Sequence, residues 1–109
     1  MKKSVLVQEI FPSLSQELQS LLMAKREEVL AAQVPALRIF DRCRCLDDYC
    51  ATFYTQPKPE HGWGPGHRTV VLAAAKGELV IDVVDGVIAA VEVFHRDDIS
   101  RQSLLAEFP

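Results

Sequence analysis

The stretch Glu78–His95 restricts the fold more than any other part of this chain. Two runs rich in Val, Ile, Leu and Ala, Glu78–Val84 and Val87–His95, are separated by Asp85-Gly86. Asp-Gly supplies the two positive-φ residues of a type I′ turn, whose twist matches the strands it joins, so the segment predicts a β-hairpin. With a two-residue turn, Val80, Val84, Val87, Ala89, Val91 and Val93 share one face, and Leu79, Ile81, Val83, Ile88, Ala90 and Phe94 share the other. Both faces are apolar. Two-sided burial is therefore expected, with helices over one face and another layer or a partner subunit over the other, and a homodimer through the sheet face or an edge follows. In this register Asp82 and Glu92 point to opposite faces and do not form an acid/base pair.

Upstream, Thr69–Ala75 reads as a strand joined to the hairpin by a turn at Lys76-Gly77. From Leu37 to Leu46 the pattern again has period two, with Leu37, Ile39, Asp41, Cys43 and Cys45 on one face. Asp47-Asp48 is a turn signal leading into a strand Tyr49–Thr55. A two-residue turn there sets Cys45 opposite Cys50 and Cys43 opposite Thr52, which puts all three thiols on one face. The other face carries Arg38, Arg42 and Arg44 near Tyr49 and Phe53, a pattern shared by single-strand nucleic-acid platforms and by solvated sheet faces.

The front of the chain has helical spacing instead. Leu14, Leu18, Leu21 and Leu22 recur on one helical stripe, and Ser13-Leu14-Ser15-Gln16 reads as a capping box. Helical structure is expected over 13–34, closed where Pro35 disfavours the α conformation at Val34. Asp97-Asp98 suggest the cap of a C-terminal helix over 98–108. The fold expected is thus a single α+β domain over 1–109: an N-terminal helical segment packed on an antiparallel sheet of four or five strands (37–95, with a long loop at 56–67), then a short C-terminal helix. A chain of 109 residues with 49% hydrophobic and 25% charged residues suits one such domain.

Charge narrows the partners. Residues 1–75 carry nine basic and eight acidic side chains, whereas residues 76–109 carry three and seven. An acidic C-terminal third repels phosphate backbones, so no nucleic-acid partner is expected. No apolar run approaches the roughly 20 residues of a membrane helix, so no membrane partner is expected either. The apolar stretch after Met1-Lys2-Lys3 is too short for a secretory h-region, and three cysteines are an odd set for a disulfide framework. A cytoplasmic protein is expected.

Two constellations carry chemistry. The loop Gln56–His67 holds three of the six prolines and three of the five glycines, with Trp63 between Gly62 and Gly64. Glycines there let the backbone present an indole outward as a binding anchor, or fold it back to seal the core edge. With His61, His67 and Arg68 it forms the candidate binding set. The second constellation is Cys43-x-Cys45-x4-Cys50. With His61 or His67 it offers the four soft ligands of a zinc site, although the spacing differs from a Cys-x(2–4)-Cys knuckle. The alternative is three small core hydrophobes. No catalytic motif is present, and no cofactor is called for on the first reading. Two functions are therefore carried forward. One is a small soluble intracellular non-enzymatic binding protein, neutralising or regulating a protein partner through Trp63, His61, His67 and Arg68. The other is a metal- or thiol-dependent enzyme or small-molecule-binding domain using Cys43, Cys45, Cys50, His61 and His67, with zinc as its cofactor.

Overall fold

A computed structural model of the chain describes residues 3–109. Its architecture is α+β: N-terminal helices, a five-stranded antiparallel sheet, a separate two-stranded sheet and a short C-terminal helix. Strand β1 (Val5–Leu6) leads into α1 (Val7–Ile10), α2 (Pro12–Ala24) and α3 (Glu28–Gln33). After these come β2 (Arg38–Ile39), β3 (Asp41–Arg42), β4 (Phe53–Tyr54), β5 (His67–Leu72), β6 (Glu78–Val84), β7 (Val87–Phe94) and α4 (Arg101–Glu107). The large sheet has the order β3-β4-β7-β6-β5, with every pair antiparallel, while β1 pairs with β2.

Leu14, Leu18 and Leu22 recur every four residues along α2 and are completely buried against the sheet. The expected capping box is not used. Phe11 is the N-cap, without a side-chain cap bond, and Pro12 starts the helix, where its fixed φ and missing N–H cost nothing. The helical segment is also not continuous. Arg26 adopts φ 62°, and the Arg26 and Glu27 amides donate to the Met23 and Leu22 carbonyls, a Schellman ending built on arginine rather than glycine. Pro35 does not displace Val34 from the α region (φ −59°, ψ −44°); a single 3₁₀ turn, Val34–Ala36, follows, and the chain extends only at Leu37. At the far end Ser100, not Asp97 or Asp98, caps α4 by accepting from the Ser103 amide.

The helices and α4 cover one face of the sheet. Phe53, Leu79, Ile81, Val83, Ile88, Val91 and Val93 point into that core beside Leu30, Ile39 and Leu104, and the Phe11 and Phe53 rings stack at 6.2 Å. Asp85 (φ 51°) and Gly86 (φ 81°) make the positive-φ turn expected of Asp-Gly. The register beyond it differs from expectation. Val83 pairs with Ile88, but Asp82 pairs with Ala90, so one residue of β7 is inserted as a β-bulge. Beyond the bulge every β7 side chain is exchanged between faces: Val91 and Val93 enter the core, and Glu92 joins Asp82 on the opposite face. Compared with the expected strands, β5 lies earlier, the stretch 37–46 is divided between two sheets, and Tyr49–Thr55 is strand only at Phe53–Tyr54. Among the described residues, no helix is long and apolar enough to cross a membrane.

Candidate thiol site

The sheet face away from the helices is where the chemistry-bearing residues meet. The β3–β4 pairing sets Asp41 opposite Tyr54 and Arg42 opposite Phe53. One step further, the Cys43 amide donates to the Thr52 carbonyl at 2.9 Å, which places Cys43 beside Thr52 on the helix-free face. The next residues leave the ladder. The chain reverses at Asp47, whose carbonyl accepts from the Cys50 amide at 3.1 Å, and Cys50 bridges to Phe94 at the end of β7. Arg101 of α4 fixes this excursion by donating to the carbonyls of Cys45 (2.7 Å) and Asp47. The three sulfurs consequently lie within 4.8 Å of one another. The expected shared face is correct, but Cys50 reaches it through a turn and a single bridge, not through a regular Tyr49–Thr55 strand.

Cys43 and Cys45 are half-buried and Cys50 is buried; all three are free thiols. A hydrogen bond from the Asp47 backbone holds the Cys45 thiol below its ordinary pKa, and the neighbouring Cys50 and Cys43 thiols act in the same direction. Burial pushes the Cys50 thiol up.

Around the thiols runs a cleft of about 320 Å³, lined also by Thr52, Tyr54, Trp63, Asp82, Glu92 and Phe94, and by Asp47 and Lys58. Positive φ at Gly62 (81°) and Gly64 (85°) turns the loop back on itself, so Trp63 lies half-buried over the sheet, 6.2 Å from the Tyr54 ring and 6.4 Å from that of His67. The loop thus supplies part of the second layer that the apolar hairpin requires. His67 Nε2 lies 2.8 Å from Asp82 Oδ1, an ion pair when the ring is protonated. Burial, together with the adjacent Asp82 carboxylate, pushes Glu92 up to about 7; the charge of His67 opposes this. Burial and the neighbouring Cys43 sulfur push Tyr54 up to about 12.

Of the residues singled out from the sequence, Cys43, Cys45, Cys50, Trp63 and His67 converge on this face. His61 is exposed in the loop, and the group of metal-ligating atoms around the thiols contains no histidine. Arg68 sits on the helix side of β5, where both its Nη atoms contact Glu27 at 3.0 Å. The arginine stripe also disperses: Arg38 binds Ser4, Arg42 the Phe108 carbonyl, and Arg44 Asp41 and the Pro109 carbonyl. Sequence reasoning missed Tyr54, Asp82 and Glu92 as members of the site. The alternation Cys50-x-Thr52-x-Tyr54 was a usable signal for the first. For the two acids, the bulge removed it.

Comparison of the chain with protein-family models, with curated proteins and with solved structures returned no match.

Proposed function

We propose that this chain is a metal-binding protein that takes a soft cation, Zn²⁺ or Cu(I), on the thiolates of Cys43, Cys45 and Cys50. The observation that carries this reading is the mutual approach of the three sulfurs to within 4.8 Å. Zinc–sulfur bonds of 2.3 Å in a tetrahedron set sulfurs roughly 3.8 Å apart, so closing on an ion asks for a shift of only about 1 Å. The surroundings favour a cation, since Asp47 and Asp82 face the cleft against the single ammonium of Lys58, and Glu92 adds its charge as pH rises through about 7. Thiolate ligands select Cu(I) and zinc over hard ions. Three protein ligands leave one tetrahedral position for water.

Ion binding has better support than capture of a protein partner by an outward Trp63, because the indole is engaged with Tyr54 and His67. This reading implies a reducing compartment, and we assign the protein to the cytoplasm on that ground.

Titrating the reduced chain with Co²⁺ tests the reading. One equivalent is expected to give sulfur-to-cobalt charge-transfer absorption of three-thiolate intensity, displaced by Zn²⁺. Zn²⁺ at a hundredfold excess over Kd should add about 2.7 kcal/mol of stability and raise the melting temperature by roughly 10 °C. Cys45→Ser is expected to remove both effects while the metal-free chain keeps its melting temperature. Cobalt spectra without thiolate bands, or unchanged by Cys45→Ser, would overturn the assignment.

A further inference from the structure

We propose that the same three sulfurs form a hydroperoxide-responsive switch, in which Cys45 and Cys50 close a disulfide and so release the bound ion; this rests on the metal-binding reading above. The three cysteines are not equivalent. Cys43 is held in register by the hydrogen bond that its amide donates to the Thr52 carbonyl. Cys43 and Cys45 are also next-but-one neighbours just past β3, a spacing at which extended backbone stands side chains roughly parallel and poorly placed to bridge.

Cys45 and Cys50 flank the reversal 46–49, which belongs to no sheet and is solvent-facing throughout, with Leu46 95% exposed. This short reversal can adjust by the roughly 3 Å at most that separates sulfurs within 4.8 Å of one another from bonding distance, without breaking a ladder. Exposure sets the order of events. Cys43 and Cys45 are both half-buried at the cleft, where a small peroxide reaches them, whereas Cys50 is buried; of the two reachable thiols, Cys45 is the one joined to Cys50 by the free 46–49 reversal.

The chemistry balances with a hydroperoxide as oxidant. The Cys45 sulfur attacks one peroxide oxygen; an S–O bond forms, the O–O bond breaks, and the departing oxygen leaves as water (or as an alcohol from an alkyl hydroperoxide). Cys45 is then a sulfenic acid. The Cys50 sulfur attacks the sulfenic sulfur; the S–S bond forms, the S–O bond breaks, and the hydroxyl leaves as water with the Cys50 proton in the metal-free chain, or with a proton from solvent where Cys50 was a thiolate ligand. Two thiols have lost two electrons, and one peroxide has gained them. Removing two of three ligands dismantles the ion site, and thiol–disulfide exchange with a cytosolic dithiol restores it.

The test adds hydrogen peroxide to the zinc-loaded chain and, in parallel, to the metal-free chain. Released zinc is read with a chromophoric chelator, and remaining thiols are mapped by alkylation. The expected result is one zinc released per chain, a mass loss of two hydrogens, alkylation of Cys43 alone, and recovery of zinc binding after dithiothreitol. Cys43→Ser should form the same bridge, whereas Cys50→Ser should accumulate a dimedone-trappable sulfenic acid on Cys45. A bridge that uses Cys43, or zinc retained after the bridge has closed, would overturn the proposal. Failure of the reduced chain to bind zinc would instead defeat the metal reading, and alkylation of the metal-free chain would still decide the bridge.

Discussion

Glu92 shows how one side chain reports on the cleft. It is a carboxyl on an otherwise apolar strand, partly buried beside Asp82, with His67 as the nearest compensating group and Asp47, Lys58 and the three thiols on the surrounding segments. Its affinity for a proton is raised to about 7 in the folded chain, against roughly 4.3 when unfolded. The folded state therefore holds a proton on Glu92 between these values that the unfolded state has lost. This contribution is complete below the unfolded pKa and disappears as pH rises through about 7. In the metal-free reduced chain, urea unfolding is expected to show stability falling by on the order of 1 kcal/mol between about pH 5 and pH 7.5, after allowance for solvent screening in an open cleft. Glu92→Gln keeps the shape and removes the titration, so its profile over that window should be flatter, with the variant the more stable chain at the upper end. Parallel profiles would mean that Glu92 is solvated like any surface acid.

At the scale of elements, the last hairpin explains both what could be read in advance and what could not. The Asp-Gly turn and the apolar runs were legible because turn chemistry and period-two burial are local properties. The shared face of Cys43 and Cys45 was legible for the same reason. The bulge was not, because it falls at Ala89-Ala90, two residues small enough to occupy either face without a hydrophobic signal. Likewise, Cys50 gains its position from a turn and from Arg101, which lies 51 positions later in the sequence, and no local pattern encodes that bond. Deleting Ala89 tests the bulge. Taking the inserted residue out lets β7 pair regularly, with Ile88 still opposite Val83 and Ala90 still opposite Asp82, so Val91 and Val93 stay in the core and Glu92 stays outside it. The deletion removes the Ala89 carbonyl, which accepts from the Thr55 and Gln56 amides, and should cost on the order of 1–2 kcal/mol. Chemical denaturation is expected to show a cooperative transition at a modestly lower midpoint, whereas Ala89→Gly, which keeps the residue count and the carbonyl, should stay within roughly 1 kcal/mol of the parent. Loss of cooperativity in the deletion variant would show that β7 cannot keep its pairing with β6 without the extra residue.

Across the whole molecule, one buried arginine joins parts of the chain that no single element brings together. The Arg96 side chain is only 1% exposed, and its five N–H groups are all engaged. Nη1 and Nη2 grip Glu17 of α2 at 3.1 and 2.7 Å, Nε and Nη2 grip Asp98 at 2.9 and 2.8 Å, and Nη1 reaches the Lys76 carbonyl at 3.4 Å. The β5–β6 turn fits closely against it, since a Cβ at Gly77 (φ 63°) would stand 2.6 Å from Arg96 Cδ. The helical layer, the start of β6 and the lead-in to α4 are thus tied at one point. Arg101, whose bonds shape the thiol loop, begins three residues beyond Asp98. Replacing Arg96 with methionine fills the volume but takes the guanidinium from both carboxylates, leaving Asp98 only the more distant Lys76 ammonium at 3.5 Å. Because Glu17 and Asp98 keep some access to water, the loss should fall near the low end for a broken buried pair, about 3 kcal/mol. The guanidinium also holds Asp98 far below the usual carboxylate range. A depressed folded pKa gives stability that is fully present above the unfolded value of roughly 3.9 and lost as pH falls toward the folded one. Thermal melts below about pH 4 should therefore show an acid-induced loss in the parent that is much smaller in Arg96→Met. If both chains lose stability equally in acid, the clamp does not hold the two layers together.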